Sequence, residues 1–189
     1  MRDASIRRSN SLATLKAGSA AIPAAMLEVL PDAAKLVFRG GSSAFAAAEE
    51  AFGIPLPQIA CRFSARGNRI AYWLGPDEWL LQATGESDTA LFAQISAALA
   101  GQSCALVDVS HGSDAFAVSG PMSAYVLNHG CPLDLSERAF PVGMCTRTIL
   151  GKAAIILSRP DEQTFHIDVW RSFAPYAWQL LNEARRELA

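Results

Sequence analysis

The chain reads as an α+β protein in which helices pack on mainly antiparallel sheets, and three observations predict this class. Short runs of strand character alternate with amphipathic helical segments along almost the whole chain. The strand runs are separated by turn signals rather than by long crossovers, which favours antiparallel pairing. The order also repeats. Phe38-Arg39-Gly40, a helix and Gly53-Ile54-Pro55-Leu56 resemble Val118-Ser119-Gly120, a helix and Gly130-Cys131-Pro132-Leu133, with Gly40 and Gly120 80 residues apart. Gly75-Pro76-Asp77-Glu78 and Arg159-Pro160-Asp161-Glu162 each precede a strand and an amphipathic helix, with Pro76 and Pro160 84 residues apart. Two repeated strand-helix-strands-helix units follow.

Residues 1–20 lack apolar periodicity and hold four basic residues against Asp3, which predicts a mobile N-terminal arm. Residues 21–189 form one compact domain of two halves, about 21–103 and 104–189. Residues 34–38 read as a strand, Gly40-Gly41-Ser42 as a breaker and helix start, and 44–52 as a helix stopped by Gly53. Residues 69–74 and 78–82 flank Gly75-Pro76-Asp77 as a hairpin. Leu91, Phe92, Ile95 and Leu99 fall at helical spacing in 88–100, with Ser87 as N-cap and Gly101 beyond the end.

In the second half, 105–109 and 115–119 read as strands and 122–128 as a short helix. Residues 146–150 and 153–157 form a hairpin around Gly151-Lys152, and 164–170 alternate like a strand. The last helix starts at Ser172 with Pro175 in its first turn, where a missing N–H costs nothing. Its expected apolar face is Phe173, Tyr176, Ala177, Leu180, Leu181, Ala184 and Leu188.

Composition excludes several functions. The 189 residues carry 16 Lys plus Arg against 18 Asp plus Glu, so no basic footprint for nucleic acid exists. Charged residues make up 18%, below the roughly 25% of an average domain, which is compatible with a surface facing another protein. The longest runs without charge, 89–107 and 115–133, are broken by Gln94, Gly101, Gly120, Pro121 and Asn128, so neither reads as a membrane span. Arg2, Arg7 and Arg8 are not followed by an apolar signal core, and a cytoplasmic location is expected. Cys61, Cys104, Cys131 and Cys145 show no CxxC spacing and read as reduced, buried thiols rather than disulfides or a zinc site.

No constellation calls for catalytic, cofactor-binding or metal-binding residues in this chain. Asp108, Ser110 and His111 carry the residue types of a hydrolase, but on a strand Asp108 and Ser110 share a face while His111 points away. His129 and Cys131 lack the further ligands of a metal site. Gly40-Gly41 and Ser119-Gly120-Pro121 do not extend to a phosphate-loop pattern. Trp73, Trp79, Trp170 and Trp178 read as core, with one or two of them open to an interface. Arg147 and Arg171, flanked by apolar residues, have to find carboxylates or reach the surface.

These motifs converge on a family. Residues 73–81 (WLGPDEWLL), Val107-Asp108-Val109-Ser110-His111, Ser119-Gly120-Pro121, Cys131-Pro132-Leu133-Asp134-Leu135, Phe140-Pro141-Val142-Gly143, Arg147-Thr148 and Arg171-Ser172-Phe173 resemble, in order and spacing, the gamma subunit of heterotetrameric sarcosine oxidase, over about residues 30–189. The second half is also similar to the folate-binding aminomethyltransferase of the glycine cleavage system. Asp108, Ser110, His111, Gly120, Pro121 and Gly143 match that pattern. Where the transferase has an acidic pair at its hairpin, this chain reads Gly151-Lys152-Ala153-Ala154-Ile155-Ile156.

The resemblance implies an aminomethyltransferase-like fold with lost catalysis, in a cavity without polar anchors for a pterin. It implies a noncatalytic assembly subunit of a complex that demethylates sarcosine to glycine with oxygen and tetrahydrofolate, releasing hydrogen peroxide. FAD, FMN and NAD would belong to the alpha and beta subunits and zinc to the delta subunit. The direct partner would be alpha, with the basic arm taking part in the contact. The alternative is an independent folate-binding aminomethyltransferase-like protein.

Overall fold

The computed structural model describes residues 11, 12, 15, 16 and 20–188. Two five-stranded antiparallel sheets pack face to face, with helices on both outer surfaces. Strand β1 is Met26–Val29 and β2 is Ala33–Gly40, followed by helix α1 (Ser42–Phe52). Strands β3 (Phe63–Arg66), β4 (Arg69–Gly75) and β5 (Glu78–Thr84) lead into α2 (Asp88–Ala98). The second half runs β6 (Cys104–Asp108), β7 (Ser113–Ser119), α3 (Ser123–Asn128), β8 (Cys145–Leu150), β9 (Ala153–Asp161), β10 (Thr164–Trp170) and α4 (Ala174–Ala184), closing in a 3₁₀ turn at Arg185–Leu188.

The repeated order expected from the glycine and proline spacings is present in space. One sheet has the order β3-β4-β5-β2-β6 and the other β8-β9-β10-β7-β1. The two halves therefore exchange their first strands: β1 pairs with β7 of the second half (Leu27 opposite Val118), and β6 pairs with β2 of the first (Val37 opposite Val107). Neither half closes its own sheet.

Two-residue periodicity explains the layers. On β2, Ala34, Leu36 and Phe38 join Ala44, Ala48 and Phe52 of α1 and Leu91 and Ile95 of α2 in one core. On β7 and β10, Phe116, Val118, Phe165, Ile167 and Val169 meet Val126 and Leu127 of α3 and Ala177, Trp178 and Leu181 of α4 in a second. The alternate residues turn inward, where Tyr72, Leu80 and Cys145 form a third, smaller cluster between the sheets. There Tyr72 is buried, which pushes its phenol well above the ordinary range.

Several boundaries differ from expectation. β1 and β3, four residues each, are too short to stand out from the sequence, and β9 runs on to Asp161 through Pro160. Helix α4 begins at Ala174 rather than Ser172, and its buried stripe is Ala174, Ala177, Trp178 and Leu181. Phe173 and Tyr176, expected inside, are exposed.

Most of the expected mobile arm, residues 1–10, 13, 14 and 17–19, lies outside the described residues. Of its described members, Leu12 is fully buried in the second core and the Ser11 backbone N–H donates to Asp114. The packed body thus reaches toward the N-terminus beyond residue 20. Arg185 secures the approach to β1: only 1% exposed, its guanidinium donates to the carbonyls of Ala25 (3.1 Å) and Ala20 (2.8 Å). Gly120 secures the junction to β7. Its φ is +117°, and a Cβ there would stand 2.7 Å from the Pro23 and Ala24 carbonyl oxygens, which leaves no room for a side chain.

Candidate site between the two sheets

The face-to-face sheets do not fill the space between them completely. A cleft of about 250 Å³ remains, walled by Val37, Leu80 and Leu74 on one sheet and by Ala154, Ile156 and Asp168 on the other. Val109, Gly112 and Ser113 close one side, and Arg147, Thr148, Ile155 and Trp170 complete the lining. Trp170 is 63% exposed, so its indole stands at the rim.

Strand alternation places each wall residue. Val37 and Leu80 are directly opposite on β2 and β5, on the face away from α1 and α2. Ile156 lies between Arg147 on β8 and Asp168 on β10. Where the sequence implied a cavity without polar anchors, the structure corrects it. Asp168, Ser113, Thr148 and Arg147 all reach the wall. The hairpin segment 151–156 itself carries no carboxylate, and its Ala154 forms part of the lining.

The charged centre is a pair that sequence reading missed. Lys35, 2% exposed, bridges the sheets from β2 and donates from Nζ to Asp168 Oδ2 on β10 and to Ser113 Oγ at 2.9 Å. A lone lysine inside the apolar run 34–38 was the available signal, since an inward-facing ammonium requires a buried acceptor. Its partner is 133 residues away and nothing local announces it.

β6 ends at Asp108, so Ser110 and His111 stand in the turn that follows it and not on a strand as expected. Ser110 Oγ donates to Asp108 Oδ1 at 2.6 Å and accepts the Lys35 backbone N–H at 2.9 Å. His111 turns away and meets Asp88 at 3.1 Å. The serine hydroxyl thus fastens β2 to the end of β6. His129 lies on the surface with Nδ1 3.1 Å from the Tyr125 carbonyl, whereas Cys131 is buried in the second core. Gly41 is the N-cap of α1, and Gly120 lies just ahead of α3.

The remaining singled-out residues divide. Trp79 and Trp178 are core, Trp73 is half-buried and Trp170 is exposed. Arg147 pairs with Glu78 across the sheets, and Arg171 lies 3.6 Å from the buried Asp114. All four cysteines are free thiols, but only Cys131 and Cys145 are buried; Cys104 is exposed. Burial pushes the Cys145 thiol up to about 12. Among the described residues no group of three or more His, Cys, Asp or Glu side chains is placed to hold a metal ion, and no helix is long and apolar enough to cross a membrane.

Residues 32–187 match the model of the "Sarcosine oxidase, gamma subunit family". The chain is 36% identical over 151 residues to the sarcosine oxidase subunit gamma of Corynebacterium sp. (strain P-1), covering 79% of this chain and 73% of that protein. It is 33% identical over 150 residues to the corresponding subunit of Arthrobacter sp., with coverages of 79% and 73%. A chain of the heterotetrameric sarcosine oxidase from Corynebacterium sp. U-96, solved in complex with pyrrole 2-carboxylate, superposes with a TM-score of 0.88 at 30% identity, covering 96% of both chains. The glycine cleavage system aminomethyltransferase T from Bartonella henselae shares the fold alone, with a TM-score of 0.57 at 18% identity over 83% of this chain and 45% of that one. Matched along nearly its whole folded length, the chain belongs to the sarcosine oxidase gamma subunit family.

Proposed function

We propose that this chain is the noncatalytic assembly subunit of a heterotetrameric sarcosine oxidase that converts sarcosine to glycine with oxygen and tetrahydrofolate, giving hydrogen peroxide. The observation that carries this reading is the 0.88 TM-score over 96% of both chains to a chain of such an enzyme. The state of the cleft supports the noncatalytic part. Its carboxylate, Asp168, is held by the Lys35 ammonium, and the hairpin at 151–156 offers no second acid for proton transfer. In this reading FAD, FMN and NAD reside in the alpha and beta subunits, zinc in the delta subunit, and the whole complex in the cytoplasm. The alpha subunit is the direct partner, and the basic residues Arg2, Arg7 and Arg8, which lie outside the described residues, contribute to that contact.

The test is co-expression of the four subunits with and without this chain. The expected result is a peroxide-producing complex only when the chain is present, and an isolated chain with no flavin absorbance and no turnover of sarcosine. An isolated chain with stoichiometric flavin and sarcosine-dependent peroxide would overturn the reading. Full assembly and activity of the other three subunits without it would do so equally.

A further inference from the structure

We propose that the cleft between the sheets is a binding site for a flat, bicyclic, indole-type aromatic ring that donates its ring N–H to Asp168. Size comes first. A cavity of about 150 Å³ accommodates a single six-membered ring, and the about 250 Å³ here is correspondingly matched to two fused rings and falls short of a drug-sized ligand. Chemistry comes second. Val37, Leu80, Ala154 and Ile156 offer an apolar slot between two sheets, which suits a planar ring.

The polar requirement is narrow. Lys35 engages Asp168 at Oδ2, while the Asp168 side chain keeps 16% of its surface open and forms part of the cleft wall. Oδ1 therefore offers one acceptor to a ligand, and because the ammonium already balances the carboxylate, a neutral N–H fits better than a second cation. Ser113 Oγ already accepts from Lys35, so its own proton is free to point elsewhere than Nζ. Trp170 at the rim supplies an aromatic face for the edge of the ring that remains outside.

Calorimetric titration of the full-length chain with indole, and with benzofuran as an isostere without the N–H, tests the assignment. Saturable one-to-one binding of indole is expected, with benzofuran weaker by about tenfold or more, the loss of a hydrogen bond to a charged group. In the Lys35→Met/Asp168→Leu double variant, which has no acceptor at this position, the two ligands should bind alike, and Ala154→Trp, which fills the slot from an exposed wall position, should abolish binding while leaving the fold intact. N-acetyltryptophanamide distinguishes the sources of the ring: binding of indole alone assigns a free small molecule, and binding of both assigns a side chain carried on a polypeptide. Absence of indole binding at millimolar concentration, equal affinity for benzofuran, or unchanged binding in a folded Ala154→Trp chain would each overturn the proposal.

Discussion

Replacing Lys35 by methionine removes the cation that joins the two sheets and leaves Asp168 behind. The magnitude follows from the burial of the two groups. The Lys35 side chain is 3% exposed and that of Asp168 16%, so this pair sits far from the exposed regime in which an ion pair contributes ~0–1 kcal/mol. Removing one partner of a buried pair costs about 3–5 kcal/mol, because the remaining charge stays in a poorly solvated site. Asp168 keeps some contact with the open cleft, so the lower end, about 3 kcal/mol, applies. Ser113 Oγ also loses its donor. Replacing both charges, in Lys35→Met with Asp168→Leu, removes the desolvated ions together and should recover most of the loss. Urea denaturation with linear extrapolation measures the change, and for a chain of this size about 3 kcal/mol corresponds to roughly 6–12 °C in Tm. A single variant losing less than about 1 kcal/mol, or a double variant losing as much as the sum of its single changes, would refute the reasoning.

Four further outcomes are expected. Gly120→Ala, which drives a methyl group into the Pro23 and Ala24 carbonyls at a φ of +117°, should lower stability by about 2–4 kcal/mol in thermal denaturation. A thiol reagent at pH 8 should label exposed Cys104 in the native chain and leave Cys145 unmodified until unfolding, as mass spectrometry of the peptides would show, since the Cys145 thiol, raised to about 12, stays protonated. Burial holds the His166 imidazole below its ordinary 6.5, with Asp161 opposing the shift. The unfolded chain therefore takes up that proton first, so this contribution is complete above pH 6.5 and is lost as pH falls below it, and His166→Gln should flatten the stability profile between pH 7 and 5. Finally, cutting the chain in the turn at Gly101-Gln102 should yield two fragments that are insoluble when expressed singly and soluble together, because β1 and β6 each complete the sheet of the other half.

How far the sequence determined this protein depends on the range of the interaction in question. Helices α1 and α2 were legible from apolar spacing and from Ser87 and the following glycines, and the duplicated order from paired Gly and Pro positions, because periodicity and turn chemistry act within a few residues. The separation of His111 from Asp108 and Ser110 was legible in outcome but not in cause, since β6 ends at Asp108 and the turn after it, not alternation along a strand, carries His111 away. The exchange of β1 and β6 between the halves was not. A four- or five-residue strand signals that it is extended, but its partner is selected by which sheet edge lies open after the rest has packed. The apolar face assigned to the last helix failed at Phe173 and Tyr176, where the direction of approach of α4 to the sheet, not helical period, decides burial. The cleft depended most on tertiary structure. Lys35, Ser113 and Asp168 come from three strands and two sheets, and a buried ammonium finds its carboxylate through the low solvation of the space between those sheets, a quantity that exists only once both are in place.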